Sequence, residues 1–170
     1  MKSLENKHKH LPMIGVGPLI VIPQLIVTII AIILSEMRMI YSMQIRGLKI
    51  PFTIIGIMLI LLGVWMWVSS NFKSKIDVCI KENHLATTGV YSMVRNPIYS
   101  AFFLVCIGAF LIEANIILFI FPVVYYVYMT AFLIRTEEKW LSELYGQEYE
   151  EYCKSVNRCI PWIPKKKQNL

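Results

Sequence analysis

Charged side chains are scarce in this sequence, so those that border its apolar segments are the first candidates for chemistry. Of the 170 residues, 16% are charged and 56% are hydrophobic. Glu137 and Glu138 are adjacent and follow Arg135, directly after an apolar run. Two neighbouring acids do not favour attachment to an acidic membrane surface, and they need positive charge or hydrogen-bond donors nearby. We therefore expect a cation or a donor to lie beside them.

Arg95 is a second candidate, because it precedes Asn96, Pro97 and a short apolar run from Ile98 to Ile112. About fifteen residues of helix reach only about 22 Å, less than the bilayer core of about 30 Å. The start of this run must then lie at or below the membrane interface. An arginine is unfavourable there unless it lines a polar cavity or has a partner. The position of Arg95 therefore indicates a polar site.

Four apolar segments are available to position these side chains. They lie between His10 and Glu36, from Ile50 to Phe72, from Ile98 to Ile112, and from Ala114 to Ile134. The first two are long enough to cross the hydrocarbon core, and little more than Glu113 and Asn115 separates the last two. The sequence predicts an all-α transmembrane bundle of about four helices, the last two forming a tight hairpin. We expect one structural domain with two regions, 1–86 and 87–170.

The polar C-terminal segment carries apolar and aromatic residues at spacings of three and four. This pattern predicts an amphipathic helix that is broken or redirected at Gly146. The segment either anchors the chain on the membrane surface or closes a site. The apolar positions are Trp140, Leu141, Leu144, Tyr145, Tyr149, Tyr152 and Val156.

The distribution of Lys and Arg predicts the orientation. The N-terminus, the loop from Lys73 to Arg95 and the region from Arg135 onward hold fourteen of the seventeen, including Lys165, Lys166 and Lys167. The positive-inside rule then places both termini on the cytoplasmic side, most simply at the cell membrane. We assign the net charge of +6 to this topology, so nucleic acid is not an expected partner.

The remaining features indicate structural roles or leave two interpretations. Cys79, Cys106, Cys153 and Cys159 lie far apart with no metal-ligand spacing, so we expect free thiols and no metal site. Pro23 indicates a kink in the first helix. The hydroxyls of three tyrosines in the fourth segment either bond to neighbouring backbone or face an internal pocket. These residues are Tyr125, Tyr126 and Tyr128.

Two ordered motifs carry a family resemblance over roughly the last eighty-five residues. TTGVYSMVRNPIYSAFF (Thr87 to Phe103) and IRTEEKWLSELYGQEYEEYCKSVNRCIPWI (Ile134 to Ile163) resemble the isoprenylcysteine carboxyl methyltransferase and phospholipid methyltransferase superfamily. Its members show TGxYxxVRHPxYxG and RxEExxLxxxFGxEYxxYxxxVxRxxP. Asn96 stands where His is common and Ala101 where Gly is common. Asparagine still donates and accepts hydrogen bonds.

The resemblance implies an S-adenosylmethionine pocket between the last two spans and the C-terminal segment. Glu137 and Glu138 would take the ammonium group and the ribose hydroxyls, and Arg95 or Arg158 the carboxylate. Arg95 and Arg135 are the expected catalytic residues, with Arg135 orienting a carboxylate acceptor. The expected cofactor-binding residues are Gly89, Tyr91, Asn96, Pro97, Tyr99, Glu137, Glu138 and Arg158.

The same residues admit simpler roles. Arg95 and Arg135 would otherwise only fix the topology, and Glu137 and Glu138 would only form ion pairs. Gly89 would only cap a helix or make a turn. The predicted function is S-adenosylmethionine-dependent methylation of a lipid-like or prenylated substrate in the bilayer, as in isoprenylcysteine carboxyl methyltransferases. The alternatives are methylation of a phospholipid or of a small lipophilic amine or thiol, and a noncatalytic membrane protein.

Overall fold

The computed structural model describes residues 16–39, 43–73 and 84–162. These ranges form helices joined by short turns, with only isolated β-bridges, so the predicted all-α class is confirmed. The described residues exclude the three N-terminal lysines, residues 74–83 with Cys79, and Lys165 to Lys167. The helices are α1 (Gly17–Glu36), α2 (Lys49–Val68), α3 (Pro97–Glu113), α4 (Ile120–Arg135), α5 (Glu137–Tyr145) and α6 (Gln147–Ser155).

Three helical segments are long and apolar enough to cross a membrane: Gly17–Glu36, Lys49–Phe72 and Ile116–Tyr145. Helix α3 is also apolar but shorter, as the sequence predicted. The outward faces of these helices carry exposed aliphatic side chains such as Leu19 and Leu61. Such faces match hydrocarbon rather than water. The chain is therefore a membrane protein.

The hairpin between α3 and α4 is tight because two residues reverse the chain. Ala114 adopts a left-handed conformation with φ 53° at the end of α3. The next side chain, Asn115, accepts a hydrogen bond of 3.2 Å from the amide of Ile117 and so caps the single helical turn before α4. Pro97 starts α3 at a position where proline costs no hydrogen bond.

Helices α1 and α4 are joined by tyrosine hydroxyls. Pro23 has no amide N–H to offer the carbonyl of Leu19 one turn earlier. The hydroxyl of Tyr128 donates to that carbonyl at 2.7 Å, and the hydroxyl of Tyr125 donates to the carbonyl of Gln24 at 3.1 Å. The first interpretation of the tyrosines, hydroxyls bonded to neighbouring backbone, is thus confirmed for these two.

Helices α2 and α3 pack with their backbones in close approach. A Cβ atom on Gly56 would lie 2.6 Å from the carbonyl oxygen of Gly108, and one on Gly63 would lie 2.6 Å from that of Ala101. Small residues allow this approach in membranes, where lipid supplies little drive for helix association. The two predicted regions, 1–86 and 87–170, meet along this contact, and the division between them stays a prediction.

Candidate functional site

Two short extended segments pair at one end of the bundle and bring the two sequence motifs together. The amide of Arg95 donates to the carbonyl of Asn157 at 2.9 Å, and the amide of Asn96 donates to the carbonyl of Arg158 at 3.2 Å. The residue before a proline favours extended backbone, which suits Asn96 to this pairing. The pairing therefore places the side chains of Arg95 and Arg158 on the same end of the bundle.

Glu138 at the start of α5 binds both arginines. Its Oε1 atom accepts a hydrogen bond of 2.6 Å from Nε of Arg158 and lies 3.4 Å from Nη2 of Arg95. The Arg95 and Glu138 side chains are 9% and 11% exposed, while that of Arg158 is 27% exposed. The hydrogen bond to Glu138 raises the pKa of Arg158 above its ordinary value. The predicted cation beside the acid pair is present.

Helix α6 also contacts the guanidinium of Arg95. The Nη1 atom of Arg95 donates to the thiol of Cys153 and lies 3.5 Å from the hydroxyl of Tyr149. The guanidinium carbon lies 6.0 Å from the centre of the Tyr149 ring. Burial raises the pKa of Tyr149, so this phenol stays neutral. Nε of Arg95 is buried and has no hydrogen-bond partner among the described residues. One N–H donor of Arg95 thus makes no hydrogen bond within the described part of the chain.

Glu137 has partners different from those of its neighbour, because successive residues of a helix point about 100° apart. The hydroxyl of Tyr99 donates to its Oε1 atom, and the amide of Val16 donates to the same atom at 3.2 Å. The starts of α1, α3 and α5 therefore meet at one carboxylate. Glu137 therefore accepts hydrogen bonds from a phenol and a backbone amide, whereas Glu138 pairs with two arginines.

The remaining predicted residues build the frame of the site. Gly89, with φ 63°, opens a single helical turn and is exposed, whereas Tyr91 is buried and its carbonyl accepts a hydrogen bond of 2.5 Å from Tyr152. Burial raises the pKa of Tyr152 and keeps its hydroxyl a hydrogen-bond donor.

The side-chain amide of Asn96 donates to the carbonyl of Arg158 at 3.1 Å. Asparagine here therefore clamps the C-terminal segment, and Pro97 is buried beside it.

Arg135 lies apart from this network. Its side chain is exposed at the end of α4, and no ion pair joins it to any residue within 16–39, 43–73 or 84–162. Conversely, the sequence did not single out Cys153 or Val16 as site residues, and assigned Tyr149 only to an amphipathic face. The spacing of four between Tyr149 and Cys153 was the available signal, since it places both on one face of α6.

Comparison with known proteins finds a matching family and relatives that are named methyltransferases. Residues 52–148 match the sequence profile described as phospholipid methyltransferase. The protein-S-isoprenylcysteine O-methyltransferase of Saccharomyces cerevisiae is 37% identical over 119 residues, which cover 65% of this chain and 49% of that enzyme. Its Schizosaccharomyces pombe counterpart is 35% identical over 85 residues, 49% of this chain and 36% of that one.

A bacterial relative has another substrate in its name. Methanethiol S-methyltransferase 1 of Bradyrhizobium diazoefficiens is 34% identical over 73 residues, which cover 43% of this chain and 25% of that enzyme. The chain thus spans half or less of the length of these relatives. No solved structure gives a significant match.

Proposed function

Because the chain belongs to the phospholipid methyltransferase family, we propose that it is a membrane methyltransferase that uses S-adenosylmethionine to methylate a lipophilic acceptor. The acceptor class we favour is a prenylated cysteine carboxylate, since relatives in two yeasts are named protein-S-isoprenylcysteine O-methyltransferases. The observation that supports the proposal most is the meeting of Arg95, Arg158 and Glu138 through the paired motif segments.

The donor set fits the amino-acid end of the cofactor. That end carries one carboxylate and one ammonium group, which require arginine donors and a carboxylate in fixed positions. Arg95 has a buried Nε atom without a partner in the described part of the chain, and it lies beside Glu138. In our proposal, Arg95 and Arg158 hold the carboxylate and Glu138 holds the ammonium group. Tyr91, Tyr99 and the turn at Pro97 shape the nucleoside site.

The protein's contribution to the reaction would be positioning and exclusion of water. Bound S-adenosylmethionine supplies a methyl group that its sulfonium already activates. A carboxylate acceptor needs no general base, so the chain's residues only have to orient it. We assign this role to Arg135, whose exposed side chain lies outside the network of Arg95, Glu138 and Arg158. An amine acceptor would have to lose a proton first, and Glu137 is then a candidate base.

We place this site at the cytoplasmic surface of the membrane. The fourteen Lys and Arg residues near the termini and the central loop outnumber the three at the opposite end, Arg38, Arg46 and Lys49. Arg95 and the acids lie at the same end of the bundle as the paired segments. Acceptors carried in the inner leaflet would then reach the site laterally.

Cofactor binding tests the proposal. S-adenosylhomocysteine at about 100 times its Kd should stabilise the purified protein in detergent by about 2.7 kcal/mol, which shifts Tm by about 5–10 °C. Glu138→Gln should remove most of that shift. The matched control Glu150→Gln alters an exposed acid on α6 and should leave it unchanged. A noncatalytic membrane protein would show no shift in any of the three.

A tritiated-methyl transfer assay then assigns the acceptor. Prenylcysteine carboxylates, phospholipid amines and small thiols should be offered separately in bilayers, the last because a relative is named a methanethiol S-methyltransferase. We expect transfer to the prenylcysteine carboxylate at a rate that Glu138→Gln lowers and Glu150→Gln does not. Exclusive labelling of phospholipid or thiol would replace the acceptor class and retain the cofactor.

A further inference from the structure

Cys153 differs from the other thiols that the structure describes. Cys106 and Cys159 are buried, with 0% and 1% of their surface exposed, whereas Cys153 is partly exposed. Burial also raises the pKa of Cys159 to about 12, so that thiol rarely becomes the reactive thiolate. Among the described cysteines, Cys153 is therefore the one that a reagent dissolved in water can reach.

Cys153 lines a pocket at the end of α6. One wall of the pocket is the exposed Trp162, whose amide donates to the carbonyl of Met93 at 3.1 Å. The exposed Lys154 lines the same pocket and brings a positive charge to it. An aromatic ring and a cation together favour a small ligand that has an apolar part and a negative charge.

The thiol of Cys153 also contacts the candidate cofactor site. It accepts a hydrogen bond from Nη1 of Arg95, whose side chain is only 9% exposed. Nε of the same guanidinium makes no hydrogen bond within residues 16–39, 43–73 and 84–162. A buried guanidinium with an unused donor indicates a place for an anionic ligand. Cys153 therefore belongs to the open pocket and also contacts the residue to which we assign the cofactor carboxylate.

We propose, resting on the methyltransferase function proposed above, that Cys153 is a modification site at which a small anionic disulfide controls cofactor binding. The thiol gives its proton to water, and the thiolate attacks one sulfur of the disulfide. The sulfur–sulfur bond of the reagent breaks, a mixed disulfide forms on Cys153, and the released thiolate takes up a proton. The reagent is the oxidant, and a free thiol reverses the exchange.

The modification acts on the cofactor site through Arg95. A substituted sulfur is larger than a thiol, so the close contact with Nη1 of Arg95 cannot stay as it is. The guanidinium then loses a neighbour that holds it in place. Because a hydrogen bond to a charged group contributes more than one between neutral groups, we expect cofactor binding to weaken by about tenfold or more.

Labelling with the disulfide of thionitrobenzoate, an anionic aromatic reagent, tests the modification site. Cys79 lies outside the described residues, so the full chain carries Cys79→Ser throughout. One thiol of the folded protein in detergent should react rapidly, and the others only after unfolding. Cys153→Ser should remove the rapid reaction, and the matched control Cys106→Ser should retain it. Rapid labelling that persists in Cys153→Ser would overturn the proposal.

The charge of the pocket is tested in the same assay. Lys154→Gln should slow the labelling of Cys153 by about two- to fivefold at low salt, as one exposed charge allows. Cystamine, a cationic disulfide, should react no more slowly with Lys154→Gln than with the unchanged pocket. Equal slowing of both reagents would contradict the preference for an anion.

Thermal shift with S-adenosylhomocysteine tests the link to the cofactor. The labelled protein should bind it about tenfold more weakly than the unlabelled protein, and dithiothreitol should restore binding. Treating Cys153→Ser with the same disulfide should not change its own binding. Equal binding before and after labelling would overturn the proposed control. No shift in the unlabelled protein would instead reject the methyltransferase function, while rapid labelling of Cys153 would still support the modification site.

Discussion

The contact between α2 and α3 and the pairing of Val94–Asn96 with Asn157–Arg158 hold the chain together by opposite means. Between the helices, missing side chains at Gly56 and Gly108 let two backbones meet. Between the segments, backbone hydrogen bonds and ion pairs to Glu138 make the contact. We call helices α1 to α4 the membrane half and the paired segments with α5 and α6 the interfacial half. The membrane half depends on the close fit of helix backbones, because lipid supplies little other drive for helix association. The interfacial half depends on ion pairs, because access to water permits charged residues there.

The largest effect should follow from removing the charge that the interfacial half depends on. Glu138→Ala leaves Arg95 buried without its counterion, and breaking a buried pair in this way costs about 3–5 kcal/mol. We expect a matching loss in the free energy of unfolding in detergent. Glu150→Ala, an exposed acid on α6, should change it by less than about 0.5 kcal/mol.

A double variant separates lost charge from lost packing. Replacing Arg95 as well, as in Arg95→Met with Glu138→Leu, removes the more deeply buried of the two arginine charges that Glu138 neutralises and leaves only that of the more exposed Arg158. Apolar replacements of buried pairs are often neutral. The double variant should therefore recover part of the stability that Glu138→Ala loses while remaining unable to bind S-adenosylhomocysteine. A double variant less stable than the single one would show that the region is not held by charge.

The second effect concerns shape in the membrane half. Gly56→Ala places a methyl group 2.6 Å from the backbone oxygen of Gly108, so α2 and α3 must move apart. Overpacking of this kind costs about 1–3 kcal/mol. Gly47→Ala is the matched control, because nothing lies within 4 Å of its added Cβ atom. Unfolding in detergent measures both, and equal stability of the two variants would contradict a contact governed by shape.

The difference between the regions also explains what the sequence predicted. Membrane insertion and the hairpin follow from local composition, so the apolar runs and the turn at Asn115 could be recognised without a partner. The break at Gly146, where φ is 51°, was recognised for the same reason. Free thiols at Cys106, Cys153 and Cys159 are likewise present in the described residues.

Contacts between segments that are distant in the sequence were harder to predict. The motif order indicated that Arg95 and the acid pair belong to one site, but not that Glu138 takes both arginines while Glu137 binds Tyr99. That division depends on which way each helix faces, which composition does not encode. The exposure of Arg135 has the same origin, since one residue along a helix turns a side chain by about 100°.

The smallest effect tests an exception in the membrane half, where tyrosine hydroxyls join α1 to α4 by hydrogen bonds. Tyr128→Phe leaves the carbonyl of Leu19 without the hydroxyl that bonds it, at a cost of about 0.5–1.5 kcal/mol. Pro23→Ala restores an amide that can bond the same carbonyl within the helix. In the Pro23→Ala background, Tyr128→Phe should therefore cost almost nothing. A double-mutant cycle measures this coupling, and additive costs would mean that proline and tyrosine do not share the Leu19 carbonyl.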